Sequence, residues 1–593
     1  MHALPDELPR NGDIARLLTR IARFLALRGD GTYRILAYEK AAQIIRDHPT
    51  SVAQLALTGE LRTLPGVGTT IEATVREYVD TGGVAFLDRL QGDYPDDILD
   101  LLKVPGLGPR KVEALWKTLG IGDLDTLRES CRTGQVAGVE GIGPRTEQKL
   151  LAAVEALQAR PSRHLLGLAE PQADRLTAAL RQMPAVVLAD TAGSLRRRRS
   201  TVKDIDLVVG ATRPEEAMDA FSALPEIASV EQRGSTKLVG VTHTGMAVDL
   251  RVVNPSAYGN LLQHATGSAG HNVALRSYAQ RRGLKVSEYG VEDENDRSVF
   301  TAPTEQEVYE HLGLQWIPPE LREDRGEIEA AEHRSVPRLI ERADLRGDLH
   351  VHSDWSDGKS SIEEMALAAR AAGLEYICIC DHTRSLAVAG GLDGERLRRQ
   401  RETIAEINQR IHGITVLAGC ELDILADGRL DLPDDVLSQL DFVVASIHSA
   451  LSQSRGRIMG RVAAAMENPH VDAMGHPTGR LLLRRPAYDI DVNRLLKLAA
   501  LTGTALEINS SFERLDIPGS VAHRAVTLGV NLVINSDSHN TTGFDLLRFG
   551  AGEARRGWVE PHHVLNTRPW PEVTRTLYEA RRTSPCPGGS ASA

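Results

Sequence analysis

Aromatic residues make up only 4% of this 593-residue sequence, and cysteine occurs five times. So few aromatics exclude a wall of stacking rings of the kind that grips bare single strands. Cys131, Cys378, Cys380, Cys420 and Cys586 form no CxxC pair and no disulfide framework, which fits a reduced, cytoplasmic protein. Long apolar runs are missing too. None reaches the roughly 20 residues that span a bilayer, so no membrane is expected among the partners. The first residues hold no basic patch leading into an apolar stretch; residues 13–27 instead set Ile14, Leu17, Leu18, Ile21 and Leu25 on one helical face. Positive charge is also scarce. A net charge of −11 argues, by itself, against a nucleic-acid partner, because phosphate contacts need cations. Two features weaken that objection: charge is uneven, with an arginine run at 196–199 and an acidic stretch at 320–332, and carboxylate clusters can take up metal.

What is present is an ordinary globular composition, 42% hydrophobic and 25% charged, on a chain long enough for several cores. A short pattern recurs as Leu64-Pro-Gly-Val-Gly, Val104-Pro-Gly-Leu-Gly and Val139-Glu-Gly-Ile-Gly, each followed by a helical segment such as 111–119. Two glycines around one apolar residue permit a tight turn and leave N–H groups at a helix start free to face a phosphate. Gly66, Gly68, Gly106, Gly108, Gly141 and Gly143 are therefore candidate DNA-binding positions. A single copy would suit any helix–helix turn. Three copies, two continuing as Pro109-Arg110 and Pro144-Arg145, describe helix-hairpin-helix units that hold a strand without reading its bases.

Past Pro161 the pattern changes. Segments 185–189, 205–209 and 247–253 read as strands, helical sequence returns through Arg282, and Trp316-Ile-Pro-Pro leads into the acidic stretch as a module end and linker. From Asp348 onward, strands at 376–380, 415–417, 442–446, 505–508 and 531–535 alternate with helical segments in the rhythm of a β/α barrel. Cys378 and Cys380 alternate with isoleucine and read as core. The Pro-, Gly-, Ser- and Ala-rich tail from Ser584 reads as disordered.

Two constellations carry chemistry. In the first half, Gly193-Ser194 precedes a basic run and, ten residues on, Asp204-Ile-Asp206. Residues two apart on a strand share a face, so Asp204 and Asp206 point together, and Asp249 can join from a neighbouring strand. Three carboxylates at one point cannot all stay ionised without a counter-charge, which divalent metal supplies. Two Mg²⁺ or Mn²⁺ ions about 3.5–4 Å apart can activate an attacking 3′-hydroxyl and stabilise leaving pyrophosphate. Gly193-Ser194 is suited to gripping the triphosphate. An Asp-x-Asp alone is more often explained by solvent-facing acids; the combination is more specific. It resembles the nucleotidyltransferase palm and, within it, the family X DNA polymerases, from about residue 10 to 325. That resemblance implies that Ser194 and Arg197 contact the triphosphate and that Arg251 orients the carboxylates. It also implies that Gly267, Ser268, Asn272 and Arg276 grip the incoming nucleotide and the templating pair. Three positions depart from the family: Lys203 stands where a small glycine is usual, His264-Ala265 where animal members have Tyr-Phe, and Thr74 where a Schiff-base lysine is found. A hydroxyl forms no imine with an abasic sugar, so lyase activity by that route is not expected.

In the second half, His350, His352, Asp357, His382, Glu421, His448, His476, Asp537 and His539 fall at expected strand ends. Mixed imidazole and carboxylate donors suit Zn²⁺, Mn²⁺ or Fe²⁺ better than Mg²⁺. A lone histidine at a strand end is usually structural, but nine ligand-type residues in one β/α module are not. They resemble the PHP (polymerase and histidinol phosphatase) family from Asp348 to about residue 575, which implies up to three metals with Glu421 as a bridge.

The whole reads as a multidomain α/β chain. A helical DNA-binding domain (1–85) and helix-hairpin-helix fingers (86–160) precede a palm (161–258) and a thumb (259–325). A linker (326–345), a distorted, TIM-like PHP barrel (346–578) and a flexible tail (579–593) follow. The expected function is gap-filling DNA synthesis plus 3′→5′ exonuclease action in DNA repair, on gapped or primer-template DNA with deoxynucleoside triphosphates, by a cytoplasmic, nucleoid-associated monomer. The alternatives are a DNA-binding adaptor with a weak polymerase and a structural PHP domain, a 3′-phosphatase or abasic-site specificity in that domain, and a small-molecule phosphatase joined to a DNA-binding module.

Overall fold

The computed structural model describes residues 8, 9, 11–48, 51–64, 66–92, 94, 95, 97–104, 106–159 and 163–583. Pro65 and Pro105 of the repeated turns, Pro161, and the tail from Ser584 with Cys586 lie outside the described residues. The chain forms two compact units: Met1–Ser162 with Met218–Val248 and Ala269–Phe300, and Arg163–Ala217 with Asp249–Ser268 and Thr301–Ala593. The expected consecutive palm and thumb are thus each divided between the units, because the chain alternates between them.

In the first unit, Ile14, Leu18, Ile21 and Leu25 recur at helical spacing and are buried along helix Asn11–Leu27, with Leu17 half-buried at the edge. They pack on Tyr38, Ala41 and Ile45 of helix Thr32–Asp47. The three repeated turns share one geometry. A 3₁₀ turn (Leu61–Thr63, Ile98–Lys103 or Val136–Gly138) leads into helix Thr69–Thr81, Pro109–Leu119 or Pro144–Ala159. Gly66, Gly106 and Gly141 take φ of +84°, +89° and +79°, which glycine adopts without strain. The apolar residue between each pair of glycines (Val67, Leu107, Ile142) is buried and anchors the turn. This unit also carries the antiparallel hairpin Ile227–Arg233/Lys237–Thr242 and a three-stranded sheet of Leu284–Ser287, Gly290–Asp293 and Val299–Phe300.

In the second unit, strand Val186–Thr191 pairs antiparallel with Asp204–Ala211, and residues 249–253 of strand Ala247–Val253 lie on the other side of the latter. The first two strands each run two residues past the expected 185–189 and 205–209. The alternation of Asp204, Asp206 and Val208 with Ile205, Leu207 and Val209 continues the pleat to its end.

The barrel has seven parallel strands in chain order: Gly347–Val351, Tyr376–Ile379, Thr415–Asp423, Phe442–Ser446, Ala473–Met474, Ala505–Asn509 and Leu532–Asn535. Ala473–Met474 is too short to leave a period in the sequence and was not among the expected strands. Seven strands instead of eight make the barrel a distorted relative of the TIM fold. Its ends meet through polar groups: the His352 N–H donates to the Ser538 carbonyl (2.8 Å), and the Asp537 N–H to the His350 carbonyl (3.1 Å). Cys378 and Cys380 are fully buried inside the ring with Leu349, Leu417, Val444 and Val533. Val573 and Leu577 of helix Trp570–Thr583 close the same core.

Two expectations about segments are corrected. The supposed linker 326–345 is packed, with Ile328, Ala331, Leu339 and Ile340 buried and the Ile340 N–H bonded to the Val559 carbonyl, so its apolar residues find a core. Residues 579–583, assigned to a flexible tail, continue helix Trp570–Thr583 instead. Among the described residues, no helix is long and apolar enough to cross a membrane.

Candidate active sites on the palm sheet and at the barrel mouth

Strand Asp204–Ala211 presents Asp204 and Asp206 on one face, and the neighbouring Ala247–Val253 brings Asp249 alongside. Burial, then the charges of Asp204 and Asp249, push the Asp206 carboxyl up to about 7 against the opposing pull of Arg251 and Arg197. Burial is the larger cause and the neighbouring carboxylates add to it, so a divalent cation beside the three acids would relieve both. Arg251 lies 3.8 Å from Asp249. Gly193 takes φ +58°, and a Cβ there would sit 1.7 Å from Asp206 Oδ2. Only glycine allows the turn carrying Ser194 to lie against the carboxylates. Lys203 is exposed one residue before Asp204, and His264 and Ala265 are half-buried. Gly267 and Ser268 lie in the same unit, with the Ser268 N–H bonded to the Arg322 carbonyl; Asn272 and Arg276 are on helix Ala269–Gln280 of the other unit.

The arginine run is paired with carboxylates. Arg196 pairs with Glu305 (2.7 Å), Arg197 and Arg199 with Glu323 (3.3 and 3.6 Å), and Arg198 with Glu170 (2.8 Å). Burial alone would raise Glu305, but Arg322 and Arg196 outweigh it and hold that carboxyl down at about 2. Arg197, expected to meet a triphosphate, here also donates to the Thr266 carbonyl (2.5 Å).

At the C-terminal ends of the barrel strands, the nine ligand-type residues converge. Glu421 is the centre. His382 Nδ1 lies 2.9 Å from Oε2, while His476 Nε2 and His448 Nε2 lie 2.8 and 3.2 Å from Oε1. His352 Nε2 is 3.1 Å from Asp537, and His539 Nε2 is 3.4 Å from Asp357. Three groups bring their ligand atoms within 4.8 Å of one another: His352, Asp357, His382 and His539; His350, His352 and Asp537; and His382, Glu421 and His448. Burial would raise the Glu421 carboxyl, but His448, His382 and His350 hold it well below its usual range. His350 Nε2 and His352 Nδ1 are buried with no hydrogen-bond partner, a costly arrangement that a cation would relieve. His476 and Asp537 take φ of +26° and +55°, strain of the kind that persists where a site is over-determined. Each of the three groups could hold a metal ion.

In the first unit, the hairpin glycines face open space. A Cβ at Gly68, Gly106, Gly108, Gly141 or Gly143 would meet nothing within 4 Å, whereas one at Gly66 would come 3.1 Å from Ile44. Gly68 and Gly108 have extended backbone at the caps of their helices and use no side chain as a cap, so N–H groups at those helix starts are left for a ligand. Thr74 is buried, and its hydroxyl donates back to the Thr70 carbonyl (2.9 Å), so that position offers no amine and no reach.

Four family models match the chain: a helix-hairpin-helix domain over 9–84, a SAM-like helix-hairpin-helix tandem over 98–156, a DNA polymerase beta thumb over 261–323 and a PHP domain over 348–511. The DNA polymerase/3′-5′ exonuclease PolX of Bacillus subtilis (strain 168) is 40% identical over 567 residues, which cover 95% of this chain and 99% of that protein. The chain belongs to the family X DNA polymerases that carry a C-terminal PHP domain. Shorter similarities run to probable phosphatases. One from Thermoanaerobacter sp. (strain X514) is 32% identical over 34% of this chain and 81% of its own length. One from Caldanaerobacter subterraneus subsp. tengcongensis is 33% identical over 34% and 78%.

For this member of the family, the sequence reading missed the residues that hold the ligands. Glu507 is fully buried; it meets His350 Nδ1 at 2.8 Å and accepts from the His476 N–H (2.7 Å) and the Asn535 amide (2.9 Å). Asp423 meets His448 Nδ1 at 2.9 Å, and Asp381 accepts from the Ser353 N–H (2.8 Å) and the Gln400 amide (2.6 Å). Such partners fix ring orientation and tautomer. A signal existed for two of them: an acid inside the apolar strand Ala505–Asn509, and a second acid two residues after Glu421 on one strand.

Proposed function

We propose that this chain is a bifunctional repair enzyme that fills gaps at the palm carboxylates and removes nucleotides from 3′ ends at the barrel mouth. The reading is carried by one observation: the palm strands set Asp204 and Asp249 near enough to raise the Asp206 carboxyl, while the barrel mouth gathers buried imidazoles and carboxylates whose ligand atoms lie within 4.8 Å of one another.

At the palm, Asp204, Asp206 and Asp249 would hold Mg²⁺ or Mn²⁺, which supplies the positive charge met by an attacking 3′-hydroxyl and a leaving pyrophosphate. Around it, Gly193 lets the Ser194 hydroxyl approach the triphosphate, Arg251 steadies Asp249, and Gly267, Ser268, Asn272 and Arg276 take the nucleotide and its templating pair. At the barrel, the nine ligands would hold up to three Zn²⁺, Mn²⁺ or Fe²⁺ ions, which supply an activated water and a clamp on phosphoryl oxygens. Glu421 would be among the residues that hold them, and Glu507, Asp423 and Asp381 keep the imidazoles and the neighbouring loop in place. The six hairpin glycines would leave N–H groups facing the backbone of gapped DNA. The domain order given above, a monomeric state, a cytoplasmic, nucleoid-associated location and a place in base excision repair complete the reading.

The test is to incubate purified chain with Mg²⁺ or Mn²⁺ and a labelled one-nucleotide gap, with and without deoxynucleoside triphosphates, beside p-nitrophenyl phosphate. Extension with nucleotides and stepwise 3′ shortening without them are expected. Turnover of the small ester with neither DNA activity would replace the reading by a phosphatase joined to a DNA-binding module.

A further inference from the structure

The palm's arginine run is seated on the barrel. Helix Leu547–Arg556 packs on barrel strands Ala505–Asn509 and Leu532–Asn535, and its other side receives residues 197 and 198. Arg198 lies flat on Gly552, where a Cβ would come within 2.3 Å of its Nε. Its guanidinium pairs with Glu170 (2.8 Å), which Arg548 also reaches (3.2 Å). One turn further along, Arg556 is 7% exposed, pairs with Glu323 at 3.1 Å and donates to the Arg197 carbonyl at 2.8 Å. Glu323 is therefore shared by Arg197, Arg199 and Arg556.

This sharing has a consequence for any anion that Arg197 is to bind. To reach a triphosphate, Arg197 must leave Glu323, a carboxylate only 13% exposed. Leaving a buried carboxylate without a cation is strongly unfavourable, so a simple Arg197–Glu323 pair would resist nucleotide. Arg556 removes most of that penalty, because Glu323 keeps a buried guanidinium at 3.1 Å after Arg197 departs, whereas Arg199, 43% exposed and 3.6 Å away, is the weaker substitute. Arg556 also fixes the backbone of Arg197 through the carbonyl, so the side chain moves while its base stays.

We propose that the barrel helix Leu547–Arg556 sets the nucleotide affinity of the palm, with Arg556 holding Glu323 so that Arg197 can exchange it for a triphosphate. Arg556 and Glu323 are then positioning residues for the polymerase reaction, one of them contributed by the phosphoesterase domain. The inference rests on the reading of Arg197 as a triphosphate ligand.

The test is single-nucleotide gap filling by the full chain, with dNTP KM, kcat and 3′ degradation measured on each preparation. Arg556→Met is expected to raise dNTP KM about tenfold, with kcat and 3′ degradation within twofold of wild type. Glu323→Gln is expected to lower KM, and Glu323→Gln combined with Arg556→Met to lose the tenfold rise, since the effect passes through the carboxylate. Arg556→Lys, which keeps the charge, should fall between, and it serves if the methionine variant does not fold. An unchanged KM in Arg556→Met overturns the inference, as does a rise of equal size in the Glu323→Gln background. A wild type that incorporates no nucleotide overturns the polymerase reading itself, a distinct result.

Discussion

The palm sheet and the barrel mouth solve the same problem, gathering negative ligands for metal, in opposite ways. The palm places three carboxylates on neighbouring strands and leaves their mutual repulsion in force, so Asp206 is pushed up to about 7 by burial, Asp204 and Asp249. The barrel interleaves imidazoles with carboxylates and braces them from behind, so Glu421 is held well below its usual range although burial works the other way. One centre waits for a cation to make it stable; the other is largely assembled beforehand. The difference should appear in how each responds to pH, to loss of a bracing residue and to crowding.

The largest effect expected of a single substitution breaks the palm alone. Gly193→Ala combines φ +58° with a Cβ 1.7 Å from Asp206 Oδ2, so the carboxylate or the turn must move. Nucleotide addition should fall on the order of a hundredfold while 3′ degradation is unchanged, measured on one preparation. The mirror experiment is Glu507→Gln, which weakens the brace on His350 and His476 without touching a proposed ligand. Metal affinity of the barrel, read by titrating Mn²⁺ against 3′ degradation, should drop roughly tenfold, with gap filling unaffected.

A smaller effect sharpens the contrast in pH. In the metal-free chain, Asp206 holds its proton to about 7, against 3.8 for an ordinary aspartate, so the native state binds more protons than the unfolded one between those values. Its contribution to stability is complete below 3.8 and is lost as pH rises through 7. Asp206→Asn should match wild type near pH 4 and exceed it in Tm by pH 7.5 without metal, and saturating Mn²⁺ should close the gap by restoring wild type. The smallest effect concerns the hairpins. Gly108→Ala and Gly143→Ala place a methyl in open space, so Tm should hold while Kd for gapped DNA rises roughly threefold for each.

Much of this was legible in the sequence because the ligands sit in short local contexts. Asp204 and Asp206 share a face by strand periodicity, and His350 with His352 or Asp537 with His539 follow the same spacing. The repeated glycine turns were equally plain, since φ near +80° leaves few alternatives to glycine. What was hidden depends on contacts between distant segments. The acidic stretch 320–332 read as a linker because nothing local says that Glu323 meets Arg197 and Arg556, or that Glu327 accepts from the N–H groups of Asp324 and Arg325. The carboxylate partners of the arginine run were hidden for the same reason. Glu507 and Asp423 were visible as acids in apolar strands, but their service to His350 and His448 needed the barrel to close.

The most direct test of two independent centres is a crossed pair of variants on one substrate. Asp204→Ala/Asp206→Ala and His350→Ala/His352→Ala would each be assayed for extension and 3′ degradation on the same labelled gapped DNA in Mn²⁺. Loss of roughly a thousandfold in extension alone for the first, and in degradation alone for the second, is the expected result. Extension surviving the loss of both aspartates, or degradation surviving the loss of both histidines, would contradict the account.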